Sequence, residues 1–254
     1  MPLRRSPTPP PAISIRRAVE EGWSAFCSAP APLLTFSALG GVGNLFCQLS
    51  IRHFDAIRLT PFGQPDRTIE VLLAGTWLSW WVINIWITVG LLQGANRALS
   101  QGRPRLRQML RPDVKAMLRG AGALGLVLLV LGLIFYLSQA SAWLMALLQP
   151  VLAGLPLVAG MAVLIYLASD QVLCLPITVL GQVNPLEAFR EGRRAIDPHW
   201  LQALGLTLVL GLVVLAGLLM LLAGLVITLP IAICIQVSAY RQVFEVTAEA
   251  HRLT

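Results

Sequence analysis

The chain has 254 residues, more than half of them apolar and only 12% charged, a composition that a water-soluble domain of this size has too little polar surface to cover. Its net charge of +7 comes from basic residues placed beside apolar runs, which membrane topology and anionic headgroups explain, leaving nucleic acid disfavoured as a partner. The runs are Leu-, Val-, Ala- and Gly-rich blocks of twenty or more residues rather than short alternations, which selects an all-α polytopic transmembrane helical bundle over a barrel.

Residues 1–11 carry Arg4, Arg5 and five prolines. This basic start imitates a secretory signal, but Arg16, Arg17, Glu20 and Glu21 interrupt its would-be apolar stretch, so it reads as a short disordered tail. Residues 12–254 read as one integral membrane domain with six spans near 31–50, 71–96, 117–138, 157–180, 200–228 and 230–249. The apolar segment Ala140 to Gln149 is too short to cross; it is either the outer end of the third span or a small helix on the outer face. Two stretches, 120–169 and 198–240, hold no Asp, Glu, Lys or Arg, while seven basic residues crowd the connection from Arg97 to Arg119. One side, with Arg4, Arg5, Arg16, Arg17, that connection, Arg190, Arg193, Arg194, Arg241 and Arg252, holds sixteen Lys and Arg against three (Arg52, Arg58, Arg67) on the other. The excess of positive charge inside predicts a multi-pass plasma-membrane protein with both termini in the cytoplasm.

Each of three hairpins is preceded by an amphipathic cytoplasmic helix expected to lie in the headgroup plane. In the first, Ser14 is placed to cap, and Ile15, Ala18, Val19, Gly22, Trp23 and Phe26 share one face opposite Arg16, Arg17, Glu20 and Glu21. In the second, Leu106, Met109, Leu110, Val114, Met117 and Leu118 oppose Arg105, Arg107, Arg111 and Lys115, with Pro112 breaking the helix in two. The third opens Asn184-Pro185-Leu186-Glu187, a cap followed by a first-turn proline, and turns Leu186, Phe189 and Ile196 inward. Shifting the first helix onto the third superposes Ala18, Gly22, Ala25 and Leu33 on Ala188, Gly192, Ala195 and Ala203, and Phe26 on Ile196. That suggests three units, 12–98, 99–182 and 183–254, the middle one matching in pattern only. The alternative is that any six-span protein with a basic inner side shows such loops.

Asp170 is the most informative polar residue. Counted along the fourth span it falls near mid-depth, where an ionised carboxylate is costly. Arg241 sits at comparable depth in the sixth span, and Asn84, Gln171 and Gln236 are candidate polar neighbours, so these five residues make up a candidate mid-membrane polar site. Two readings stand: a proton or ion site on Asp170, or an Asp170–Arg241 pair that locks helices together. Trp77, Trp80 and Trp81 suit an interfacial belt or a ligand-stacking cage, and Trp86 a packing role. Gly90 and Gly94 form a GxxxG, and Gly205, Gly211, Gly217 and Gly224 recur near the fifth span as packing faces. Pro156, Pro176 and Pro230 kink or start spans. His53, Asp55, Asp66 and Glu70 in the outer loop follow no metal-ligand spacing, and His199 and His251 stand alone. Cys27, Cys47, Cys174 and Cys234 are isolated and read as small buried hydrophobes. The sequence carries no catalytic or cofactor-binding motif, so neither an enzyme nor a cofactor is expected.

Four patches carry a resemblance: Ile13-Ser14-Ile15 through Gly22-Trp23-Ser24-Ala25-Phe26 to Pro30; Gly94-Ala95-Asn96-Arg97 with Gly102; Leu175-Pro176 through Pro185-Leu186-Glu187-Ala188 to His199-Trp200; and Leu229-Pro230 with Ala239-Tyr240. In these the chain resembles bacterial six-span integral membrane proteins similar to the membrane domain of glycerophosphodiester phosphodiesterase. The resemblance implies an all-helical domain of a bacterial inner membrane and brings no activity with it, because the phosphodiesterase domain's metal-binding carboxylates have no counterpart here. The expected role is a non-enzymatic scaffold, accessory subunit or lipid-associated component. Its partners would be anionic headgroups and a protein or a second copy. The alternative is a small transporter or channel built around Asp170.

Overall fold

The computed structural model describes residues 13–58, 67–100, 102–111 and 113–250, so the expected tail, Asp66, Pro112, His251 and Arg252 lie outside the described residues. The protein is an all-α polytopic bundle with six helical stretches long and apolar enough to cross a membrane. In order the α-helices among the described residues are α1 (Ile15–Ser28), α2 (Pro30–Arg58), α3 (Arg67–Leu99), α4 (Leu106–Leu110), α5 (Val114–Leu148), α6 (Gly154–Asp170), α7 (Cys174–Leu180), α8 (Pro185–Ile196), α9 (Trp200–Leu219) and α10 (Leu221–Ala250). Helices α2 with α3, α5 with α6, and α9 with α10 pack as antiparallel hairpins. In such long apolar segments the helix pairs every backbone group internally, as hydrocarbon requires.

Helix α5 runs unbroken to Leu148, so Ala140 to Gln149 is the C-terminal end of the third span rather than a separate small helix. The fourth span, expected as one helix over 157–180, is divided into α6 and α7. The fifth and sixth, expected to part at 228 to 230, part at Met220, and Pro230 lies inside α10. Close approach explains the shift. A Cβ on Gly217 would overlap the Thr228 hydroxyl and one on Gly224 the Gly217 carbonyl, so glycine lets these two helices leave Met220 in contact.

At the end where the basic residues gather, α3, α7 and α10 meet one another. Ile87, Leu91, Leu92 and Ala95 of α3, Cys174, Ile177 and Val179 of α7, and Cys234, Ile235 and Val237 of α10 join one buried core there. Three short helices surround it, each packed against one of α3, α7 and α10. Helix α1 sits on α10 with Gly22 against Ile235, α4 on α3 with Met109 against Gly90 and Gly94, and α8 on α7 with Gly192 against Ile177. Toward the other end the hairpins expose Leu129, Leu133, Leu155, Val158, Leu208 and Leu212, a surface suited to acyl chains. Cys47, Cys174 and Cys234 are buried as expected, whereas Cys27 is exposed on α1.

The short helices bury narrower faces than their apolar periodicity predicts. On α1 the buried residues are Ala18, Gly22, Ala25 and Phe26, while Trp23 is half exposed. On α8 they are Ala188, Gly192 and Ile196, while Leu186 points out. The second helix is only the five residues of α4, and the inward residues near it are Met109, Ala116, Gly120 and Ala123, with Leu110, Val114 and Leu118 outward. Small residues make up much of each inward face because they let backbones approach, with Phe26, Met109 and Ile196 as the large groups buried beside them.

Polar bonds fix α1 in place. Ser14 occupies the N-cap position, yet its hydroxyl makes no capping bond; its backbone N–H donates instead to Gln242 Oε1 at 3.0 Å. Seven residues on, Ser238 donates to Glu21 Oε2 at 2.7 Å, and Arg17 Nε donates to Glu21 Oε1 at 2.6 Å. Burial of the Glu21 carboxyl favours its protonated form, but the bonds from Arg17 and Ser238 and the charges of Arg17 and Arg241 outweigh it and hold the group below its ordinary range. A depressed folded-state pKa means that this contribution is present above the ordinary glutamate range and is lost as pH falls through the folded value.

Two predictions follow from the α1–α10 contact. A Cβ at Gly22 would lie 2.7 Å from the Ile235 backbone, so Gly22→Ala should lower stability by about 1–3 kcal/mol in detergent unfolding. Gly125→Ala, where a Cβ meets nothing within 4 Å, should not. Acidification below the glutamate range should accelerate hydrogen exchange in α1, after correction for the intrinsic rate; Glu21→Gln should exchange faster at neutral pH and lose the acid-dependent step.

Candidate functional site at the break in the fourth span

Pro176 is the local cause of the break. It has no N–H, so the carbonyl four residues earlier, on Val172, loses its helical partner. Gln236 of α10 supplies the missing donor, its Nε2 lying 2.6 Å from the Val172 oxygen. Residues 171–173 form a turn, anchored by the Gln171 N–H on the Leu167 carbonyl and the Cys174 N–H on the Gln171 carbonyl, both at 3.0 Å. Below the turn α7 starts again with Leu173, Cys174, Ile177 and Thr178 all buried.

Asp170 and Gln171 occupy this break. They are 2% and 6% exposed. Gln171 Nε2 donates to Asp170 Oδ2 at 2.8 Å. Asp170 Oδ1 and Gln171 Oε1 are buried and have no hydrogen-bond partner among the described residues. Helix α8 packs over the site at Gly192, where a Cβ would make ordinary contact with Ile177 Cδ1 at 3.6 Å and Gln171 Oε1 at 3.8 Å. One turn along α8, Arg193 faces Asp197 at 3.8 Å, and the Tyr166 hydroxyl of α6 donates to Asp197 at 2.7 Å.

The five residues of the candidate site fall in three places. Gln171 and Gln236 do adjoin Asp170. Arg241 does not pair with it: its guanidinium donates to Ser100 Oγ at 3.1 Å and acts on Glu21. Asn84 lies in the α2–α3 hairpin, where its Oδ1 accepts from Asn44 Nδ2 at 2.9 Å. Asp170 is also the last residue of α6, about 24 Å of helix rise from Gly154. It therefore sits at a helix end beside charged α8, within the spanning stretch Pro150–Leu180, rather than inside a continuous helix.

The polar cluster that sequence reasoning missed is the one around Asn44. Its Oδ1 accepts from Trp80 Nε1 at 2.9 Å and from Gln48 Nε2 at 3.0 Å, joining Asn84, Trp80 and Gln48. Asn44 and Gln48, four residues apart within an otherwise apolar run, are the signal that pointed to it. Trp80 is thus held by a hydrogen bond between helices. Trp86 packs edge-on to Phe36 at 4.9 Å, and the GxxxG of Gly90 and Gly94 receives Phe36 and Met109 of the same chain.

No protein-family model matches the chain, and no curated protein or solved structure is significantly similar to it.

Gln236→Leu would leave the Val172 carbonyl unpaired in a buried setting and should destabilise the protein by about 1–3 kcal/mol. Pro176→Ala restores an N–H to that carbonyl, so the Gln236→Leu cost should shrink in the Pro176→Ala background. Thermal unfolding of the four proteins in detergent reads this coupling directly.

Proposed function

We propose that the protein is a non-enzymatic component of a bacterial plasma membrane, a scaffold or accessory subunit whose inner face holds anionic lipid headgroups. The observation that carries this reading is the arrangement of α1, α4 and α8. Their small-residue faces are taken up by the core, so Arg16, Arg17, Arg105, Arg107, Arg190, Arg193 and Arg194 stand exposed around one end of the bundle. Basic side chains held at the hydrocarbon boundary by fixed helices attract phosphate headgroups, at about 1 kcal/mol per residue near an anionic surface. The sixteen-to-three distribution of Lys and Arg makes that end cytoplasmic, with both termini inside.

Phosphatidylglycerol added to the detergent-solubilised protein should raise its unfolding temperature more than phosphatidylcholine does. Replacing Arg105, Arg107 and Arg111 together with Gln should remove most of that difference. Equal effects of the two lipids on the unaltered protein would defeat the proposal. A reporter fused to the C-terminus, active only in the cytoplasm, tests the orientation.

A further inference from the structure

We propose that the break between α6 and α7 binds one small monovalent cation, a proton or a sodium ion, on the free oxygens of Asp170 and Gln171. Buried polar atoms are almost always paired, and an unpaired one calls for a ligand, a water or an ion. Here two acceptors, Asp170 Oδ1 and Gln171 Oε1, are orphaned on adjacent residues that are 2% and 6% exposed. Leaving a carboxylate in that state is costly, since a buried charge needs both a counter-charge and hydrogen bonds.

The surroundings offer the two oxygens no protein donor. From α6, the Tyr166 hydroxyl is donated to Asp197 and the Ser169 hydroxyl to the Ile165 carbonyl. From α7 the titratable neighbour is Cys174, which feels the Asp170 charge. From α8 the charged neighbours are Arg193 and Asp197, of opposite sign and facing each other. From α10 comes Gln236, uncharged, with its Nε2 placed on Val172.

A cation resolves both orphans at once. A proton on Oδ1 converts one acceptor into a donor, and a sodium ion takes both oxygens as hard ligands. One carboxylate supplies one negative charge, which a monovalent ion neutralises and a divalent ion would overshoot. Interrupted helices in which turn backbone and a nearby carboxylate line a gap are a recurrent way to hold such ions at membrane depth. Gly192 faces the Gln171 side of the gap, where a Cβ would lie 3.8 Å from Oε1. The two free oxygens are buried at the break and not exposed among the arginines of the basic face, so ion binding there is read separately from lipid binding.

The test uses the full chain in detergent, with isotope-labelled aspartate to identify carboxyl bands in the infrared. In the proton case, a protonated-carboxyl band persists at neutral pH and disappears in Asp170→Asn. In the sodium case, that band is missing, and sodium raises the unfolding temperature where choline at equal ionic strength does not; the rise is lost in Asp170→Asn and reduced in Gln171→Leu. An ionised Asp170 with no sodium-dependent shift, the behaviour of a merely hydrated carboxylate, overturns the proposal. Should Asp170→Asn fail to fold, the sodium titration of the unaltered protein and of Gln171→Leu, with the labelled-aspartate spectrum, decides the matter.

Discussion

The meeting of α3, α7 and α10 at the basic end is the constraint from which the rest of the structure follows. Lipid is as apolar as any side chain, so helices in a bilayer gain little from hiding Leu or Val and associate through close packing and polar contacts. Here close packing is concentrated at one end, where a cap of short helices encloses the three converging segments on several sides. The hairpins toward the other end spread large aliphatic side chains outward, and only the glycine-mediated approaches and the Asn44 cluster draw their members together.

Convergence places a demand on the fourth span that the other two do not meet in the same way. Helices α3 and α10 reach the centre as continuous helices, whereas α6 stops at Asp170 and α7 restarts at Cys174. Pro176 frees a carbonyl, Gln236 pairs it from another helix, and the turn brings Asp170 and Gln171 under α8. The same break that completes the core therefore brings together two buried oxygens on adjacent residues, Asp170 Oδ1 and Gln171 Oε1, that have no hydrogen-bond donor among the described residues. Structure and candidate chemistry share one cause.

The placement of α1, α4 and α8 gives physical content to the threefold sequence pattern. Gly22 and Gly192, which one shift of the sequence superposes, each face an Ile of another helix, tightly at Gly22 on Ile235 and in ordinary contact at Gly192 on Ile177. The middle unit uses the reverse arrangement, with Met109 on the short helix entering a gap over Gly90 and Gly94. An interface can keep its geometry while the glycine moves from one partner to the other, and a residue-by-residue comparison then finds nothing.

The sequence by itself determined the number of spanning helices, the side on which basic residues collect and the existence of short helices at that side, because hydropathy and charge act over one turn or one span. It also marked Asp170, Gln171 and Gln236 as belonging together. What only the tertiary structure decided is where helices stop and what each polar group meets. Met220 rather than Pro230 ends the fifth span because Gly217 and Gly224 pack across the hairpin. Gln236 meets Val172 across 64 residues, Arg241 turns to Ser100, and Asn84 finds Asn44 on another helix. Each of these outcomes depends on how closely two backbones approach, a property set by small residues on both helices at once and carried by neither segment alone.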